Sequence, residues 1–102
     1  MIDLDPKILR ELKDILAREA SDCEARIFGS RITGKAKAHS DIDLALVSSG
    51  PMDWRRIEKI KQAFSESNIP FMVDVLDWHS LSDQFKHLIE QRYEVLQVNS
   101  NR

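Results

Sequence analysis

The run Ile42-Asp43-Leu44-Ala45-Leu46-Val47 constrains this chain more than any other. It reads as a buried strand, and two carboxylates, Asp41 and Asp43, stand at its start with one residue between them. Side chains two apart on a strand share a face of the sheet. The chain advances by roughly 6.6 Å over two strand residues, so the pair can lean together on one hard cation or on a bridged pair of them.

The residues before this strand provide what such a site would hold. Ala25-Arg26-Ile27-Phe28 is a second short strand, and it delivers Gly29-Ser30 to its end. Without a side chain at Gly29 a phosphate can approach the backbone, and Ser30 can donate from its N–H and its hydroxyl. Arg31 to Thr33 suits a short helical turn ended by Gly34, and Lys35 to His39 forms a polar loop offering N–H groups and positive charge. Each part is common turn chemistry when taken singly. Placed together on adjacent strands, they point to a phosphate and metal site. The competing Walker A reading of Gly29-x-x-x-x-Gly34-Lys35 fails at Ala36, where a Ser or Thr must hold magnesium, and no long helix of apolar period follows.

The other segments read as scaffold. Asp5 can cap a helix with Pro6 in its first turn, and Ile8, Leu9, Leu12, Ile15 and Leu16 make one apolar stripe. The second strand is expected to run from Ile42 to Ser48, before the turn Ser49-Gly50-Pro51. Trp54, Ile57, Ile60, Ala63 and Phe64 predict a helix from about Asp53 to Ser65, with Arg55, Arg56, Glu58, Lys59 and Lys61 on a solvated face. Pro70 blocks its continuation. Phe71 to Leu76 is the third strand. Leu81, Phe85, Leu88, Ile89 and Tyr93 predict a last helix over Ser80 to Arg92, and Glu94 to Val98 a terminal edge strand. The expected fold class is α+β in two layers, a small mixed sheet with helices packed against it, in one domain over residues 1–102.

Asp74 is a lone carboxylate in an apolar strand, which is costly unless something pairs with it. A salt bridge at the strand edge is the structural reading, and a third metal ligand the functional one. The pair already in place favours the ligand. Asp77 is placed past the strand, as a cap. His79 and His87 have no partner at ligand spacing, His39 reads as a solvated loop residue, and the single Cys23 reads as a structural thiol.

Gly29-Ser30, ten residues, then Asp41-x-Asp43 resembles the signature of the polymerase-β-like nucleotidyltransferase superfamily. The finer pattern, Gly29-Ser30-Arg31 with Gly34 and then Ser40-Asp41-Ile42-Asp43-Leu44, is similar to its smallest branch, the minimal nucleotidyltransferases. That branch is known as the antitoxin half of modules whose other half is a helical HEPN-domain ribonuclease toxin. The resemblance implies that Asp41, Asp43 and Asp74 form the catalytic and metal set for two Mg²⁺ ions. It also implies that Gly29, Ser30, Arg31, Lys35 and Ser40 bind ATP, and that AMP is passed to a tyrosine of the HEPN toxin.

Composition bounds the partners. A chain of 102 residues has little surface for a second binding lobe, so an acceptor surface is expected from another protein. Fifteen basic against seventeen acidic residues give a net charge of −2, which disfavours bulk electrostatic binding of nucleic acid. No run approaches a membrane span and no signal-peptide core is seen, so a cytoplasmic protein is expected. Trp54 or Trp78, if exposed, would support a homodimer or a hetero-oligomeric interface. Two further readings stand beside the transferase: a non-catalytic module that masks a toxin by contact, and a nucleotidyltransferase acting on RNA.

Overall fold

A computed structural model describes residues 2–37 and 40–99. Helix α1 spans Pro6–Glu19, and its start follows the expected chemistry: the Asp5 carboxylate accepts from the Lys7 amide at 2.8 Å. Strand β1 (Glu24–Phe28) leads into the four-residue helix α2 (Ser30–Thr33), which Gly34 ends in the left-handed conformation. Strand β2 (Ile42–Val47) follows, then helix α3 (Trp54–Ser65) capped by Asp53, and strand β3 (Val73–Asp77). A 3-10 turn (Trp78–Ser80), helix α4 (Asp83–Gln91) and strand β4 (Glu94–Gln97) complete the chain.

The sheet order is β3-β2-β1-β4. β1 runs antiparallel to β2 and β4, whereas β2 and β3 are parallel and need α3 as their crossover. The mixed sheet and its helices are those expected. Two boundaries differ. The third strand starts at Val73 rather than Phe71 and extends through Asp77. The last helix begins at Asp83, where the Ser82 hydroxyl caps it by accepting from the Phe85 amide at 3.1 Å. An apolar period reports which side chains are buried, and it is continuous across the 3-10 turn and α4; the cap decides where the helix starts.

One sheet face carries Ala25, Ile27, Leu44, Leu46 and Val75 against Leu12, Leu16, Ile60 and Phe64 of α1 and α3, and this is the main core. The other face is covered only in part, where Ala45 meets Trp78 and Ile89, with Phe28, Phe85 and Tyr93 around them. Cys23 lies in the main core, and burial, followed by the nearby Asp22 charge, pushes its thiol up to about 11. It is therefore a protonated structural side chain, as expected.

Three apolar assignments change. Trp54 is 68% exposed, its ring met by the Arg55 guanidinium, and Leu88 is 61% exposed, whereas Trp78 is buried. Periodicity placed the first two on core stripes, but each lies at a margin that the sheet does not cover. Trp78 is enclosed because β3 ends beside Ala45 and the Arg26 guanidinium stacks 4.7 Å from its ring centroid. Arg56, expected on a solvated face, is half-buried and donates through both terminal nitrogens to Asp22; this holds the Asp22 carboxyl below its ordinary value. Among the described residues no helix is long and apolar enough to cross a membrane.

Candidate active site

Register assembles the site. Phe28 of β1 pairs with Asp43 of β2, and Asp43 pairs with Asp74 of β3, so the three form one row across the sheet. Neighbouring strands lie about 4.8 Å apart, which sets the two carboxylates side by side on the same face. That face also carries Ala45, two residues on from Asp43, and is the one left partly open by Trp78 and α4. Asp41 precedes the first residue of β2 and is exposed; Asp74 is exposed at the sheet edge.

Burial, and after it the charges of Asp74 and Asp41, raise the Asp43 carboxyl above its ordinary value of 3.8. Three like charges with no cation paired to them among the described residues are a costly arrangement for a scaffold and a natural one for a cation. The donors are all oxygen, which suits Mg²⁺. Among the described residues no three acidic, His or Cys side chains close into a ready coordination shell. Mg²⁺ commonly takes one or two carboxylates and completes its shell with water and substrate phosphates, so the donor set fits that ion.

Gly29 brings the backbone against this group. A Cβ at that position would lie 2.3 Å from the Asp43 Oδ2, a separation that atoms do not adopt. Its φ of 82° and ψ of −154° belong to a region that only glycine occupies freely. Two separate constraints therefore demand glycine here. The amides of Ile32 and Thr33 both donate to the Gly29 carbonyl. The amides of Ser30 and Arg31 lie in the first turn, where no intrahelical acceptor exists, and they sit beside the carboxylate row.

The remaining candidates separate. Lys35 is exposed on the loop after α2. Ser40 closes that loop: its hydroxyl accepts from the Lys37 amide at 2.8 Å, and its own amide donates to the Lys37 carbonyl at 3.0 Å. His39 lies outside the described residues. Arg31, expected beside phosphate, is buried and donates to the carbonyls of Ser40 (2.8 Å) and Asp3 (3.3 Å). Its guanidinium lies 4.3 Å from the Phe71 ring centroid. Neither Asp3 nor Phe71 was singled out from sequence, since a backbone carbonyl and an underlying ring leave no spacing signal.

Asp77 is the last residue of β3 rather than a residue past it, and its capping role holds. Its carboxylate accepts from the Met52 amide (2.9 Å), the His79 amide (3.1 Å) and the Ser80 hydroxyl (2.9 Å). Replacing it with Ala leaves three donors without an acceptor, and Asp77→Ala should destabilise the fold by about 2–3 kcal/mol in a denaturant titration. A loss below about 0.5 kcal/mol would remove this structural role.

The comparisons with known proteins agree with this geometry. The chain is 42% identical over 96 residues, 94% of its length and 84% of the relative's, to the Haemophilus influenzae protein named "Probable protein adenylyltransferase MntA". Among solved structures it superposes with a TM-score of 0.77 on a chain of a toxin–antitoxin complex with AMP-PNP, at 20% identity, covering 90% of this chain and 74% of that one. A TM-score of 0.61 at 18% identity relates it to a chain of the Shewanella oneidensis complex of a tri-AMPylated HEPN toxin with MNT antitoxin, covering 90% of this chain and 71% of that one. At these identities the two structures establish a shared fold. Residues 10–102 match the family described as "Polymerase beta, Nucleotidyltransferase", and with the MntA relative this places the chain in the polymerase beta nucleotidyltransferase family.

Proposed function

We propose that this chain is an antitoxin that transfers AMP from ATP, with Mg²⁺, to a tyrosine hydroxyl of a helical HEPN-type toxin in the cytoplasm. The observation that carries the reading is the row of Asp43 and Asp74 with the Gly29 backbone pressed against the Asp43 carboxylate. The relative named as an adenylyltransferase supports the reaction class, and the superposed toxin–antitoxin complexes support the kind of partner.

Two Mg²⁺ ions held by Asp41, Asp43 and Asp74 would neutralise the triphosphate and stabilise the attacking and leaving oxygens of an in-line displacement. The chain's own groups do the rest. The Ser30 amide and hydroxyl hold the β- and γ-phosphates, so pyrophosphate is the leaving group, and Lys35 offsets their charge. Asp74, exposed at the sheet edge, faces the side from which an acceptor arrives and takes the hydroxyl proton. A docked protein acceptor supplies the orientation that larger relatives obtain from a further domain.

Incubation with α-labelled ATP, Mg²⁺ and the neighbouring operon product tests this, with transfer RNA as a parallel acceptor. Label should enter the partner protein on tyrosine, and the Asp41→Ala, Asp43→Ala double variant should label nothing while keeping its circular dichroism. Label in RNA alone would move the acceptor class. Inhibition of the toxin by the unlabelled double variant at one-to-one stoichiometry would favour a masking module.

A further inference from the structure

We infer that Arg31 is a positioning residue that sets the distance between the Gly29-Ser30 turn and the carboxylate row, and is not a ligand of phosphate; the inference rests on the nucleotidyl-transfer reading above. The side chain is 6% exposed, which leaves it no surface to offer an incoming triphosphate. What it touches is informative. Nη2 donates at 2.8 Å to the carbonyl of Ser40, the residue directly before Asp41. Nη1 donates at 3.3 Å to the carbonyl of Asp3, whose amide returns a 2.7 Å bond to the Arg31 carbonyl. The flat guanidinium lies 4.3 Å from the centroid of Phe71, three residues before Asp74.

One planar group thus joins four segments: α2 with its Gly-Ser entrance, the loop into Asp41, the approach to Asp74, and the N-terminal residues. The Ile42 amide donates to the Met72 carbonyl at 2.9 Å, so the segments bearing Asp41 and Asp74 are also joined directly to each other. Arg31 adds the third side of that triangle, from the phosphate turn to both. The arrangement is an expensive one. A cation is buried on carbonyl acceptors and a ring face, with no carboxylate among the contacts given for it, and its Nε is buried without a partner among the described residues. An apolar side chain would fill the space at lower cost in solvation. What it would lack is a rigid fork that holds two carbonyls at fixed separation above a ring, and lysine lacks that as well.

The test uses the full chain with Arg31→Lys and Phe71→Leu, and Mn²⁺ as the metal probe. Groups that orient metal ligands typically change metal affinity or activity by about 10- to 100-fold when replaced. Arg31→Lys should therefore weaken Mn²⁺ binding by about tenfold and lower kcat by a similar factor, with KM for ATP within about twofold of the parent and the melting temperature nearly kept. Phe71→Leu should move the same quantities in the same direction. A tenfold rise in KM for ATP with kcat and Mn²⁺ affinity unchanged would make Arg31 a phosphate ligand and overturn the inference. Unchanged Mn²⁺ affinity in folded variants would overturn it too, whatever happens to stability. If Arg31→Lys does not fold, Phe71→Leu decides on the same measurements. If the parent chain transfers no nucleotide, the transfer reading fails, and Mn²⁺ affinity alone still decides the role of Arg31.

Discussion

Gly29→Ala should abolish nearly all nucleotide transfer, reducing kcat/KM by roughly 10²- to 10³-fold, a loss comparable to removing a principal group that stabilises the transition state. The added Cβ would sit 2.3 Å from the Asp43 Oδ2, and the neighbouring atoms within 4 Å all belong to the same side chain. The clash must therefore be relieved by moving Asp43 off the row it shares with Asp74. A backbone held at φ 82° and ψ −154° adds strain of about 1–3 kcal/mol to the folded state for any residue with a Cβ. Gly34→Ala separates the two effects. Gly34 has a φ of 78°, but a Cβ there meets nothing within 4 Å. It should lose stability of about 1–2 kcal/mol from the left-handed backbone alone and retain most of its activity. Equal activity loss in both variants would show that backbone strain, and not the approach to Asp43, accounts for the Gly29 effect.

Asp43→Asn should give the opposite signature: a more stable metal-free protein and an inactive enzyme. Folding raises the Asp43 carboxyl through burial and the charges of Asp74 and Asp41, so the folded chain holds that proton more tightly than the unfolded one. The stability this contributes is fully present below the ordinary value of 3.8 and is lost as pH rises through the higher folded value. At neutral pH the ionised carboxylate is a net cost that Asn removes. The variant should melt higher than the parent at pH 7 without metal, by roughly 4–8 °C for each kcal/mol gained, and the gain should vanish in acid. Mg²⁺ at about 100 times its Kd should stabilise the parent by about 2.7 kcal/mol and the variant by much less. A variant that melts below the parent at pH 7 would show that the carboxylate is satisfied within the fold.

Much of this was open to inspection in the amino-acid order, for physical reasons that are local. The apolar run beginning at Ile42 can only be buried, Pro6 and Asp5 can only begin a helix, and Gly34 suits the left-handed residue that ends α2. The Gly-Ser turn and the Asp-x-Asp start are likewise contiguous, so their spacing is visible before folding. Asp74 was inferred because a charge in an apolar strand demands a reason, and the parallel pairing of β2 with β3 sets it directly beside Asp43.

Tertiary structure decided the rest. Whether a residue on an apolar stripe is buried depends on how far the sheet extends beneath it, which is why Trp54 and Leu88 are exposed and Trp78 is not. Arg31 follows the same logic: its charge suggested phosphate, but its partners are main-chain carbonyls 28 and 9 residues away and an aromatic ring 40 residues away, contacts that exist only once the strands have paired. The need for glycine at position 29 is shared between the two levels. Its positive φ belongs to the turn, which is local, whereas the 2.3 Å limit belongs to Asp43, carried in by the antiparallel register of β1 and β2. Sequence determines which groups are present and their local geometry; only packing brings groups far apart in the chain within reach, because separations of a few ångström are set by register and cover rather than by order along the backbone.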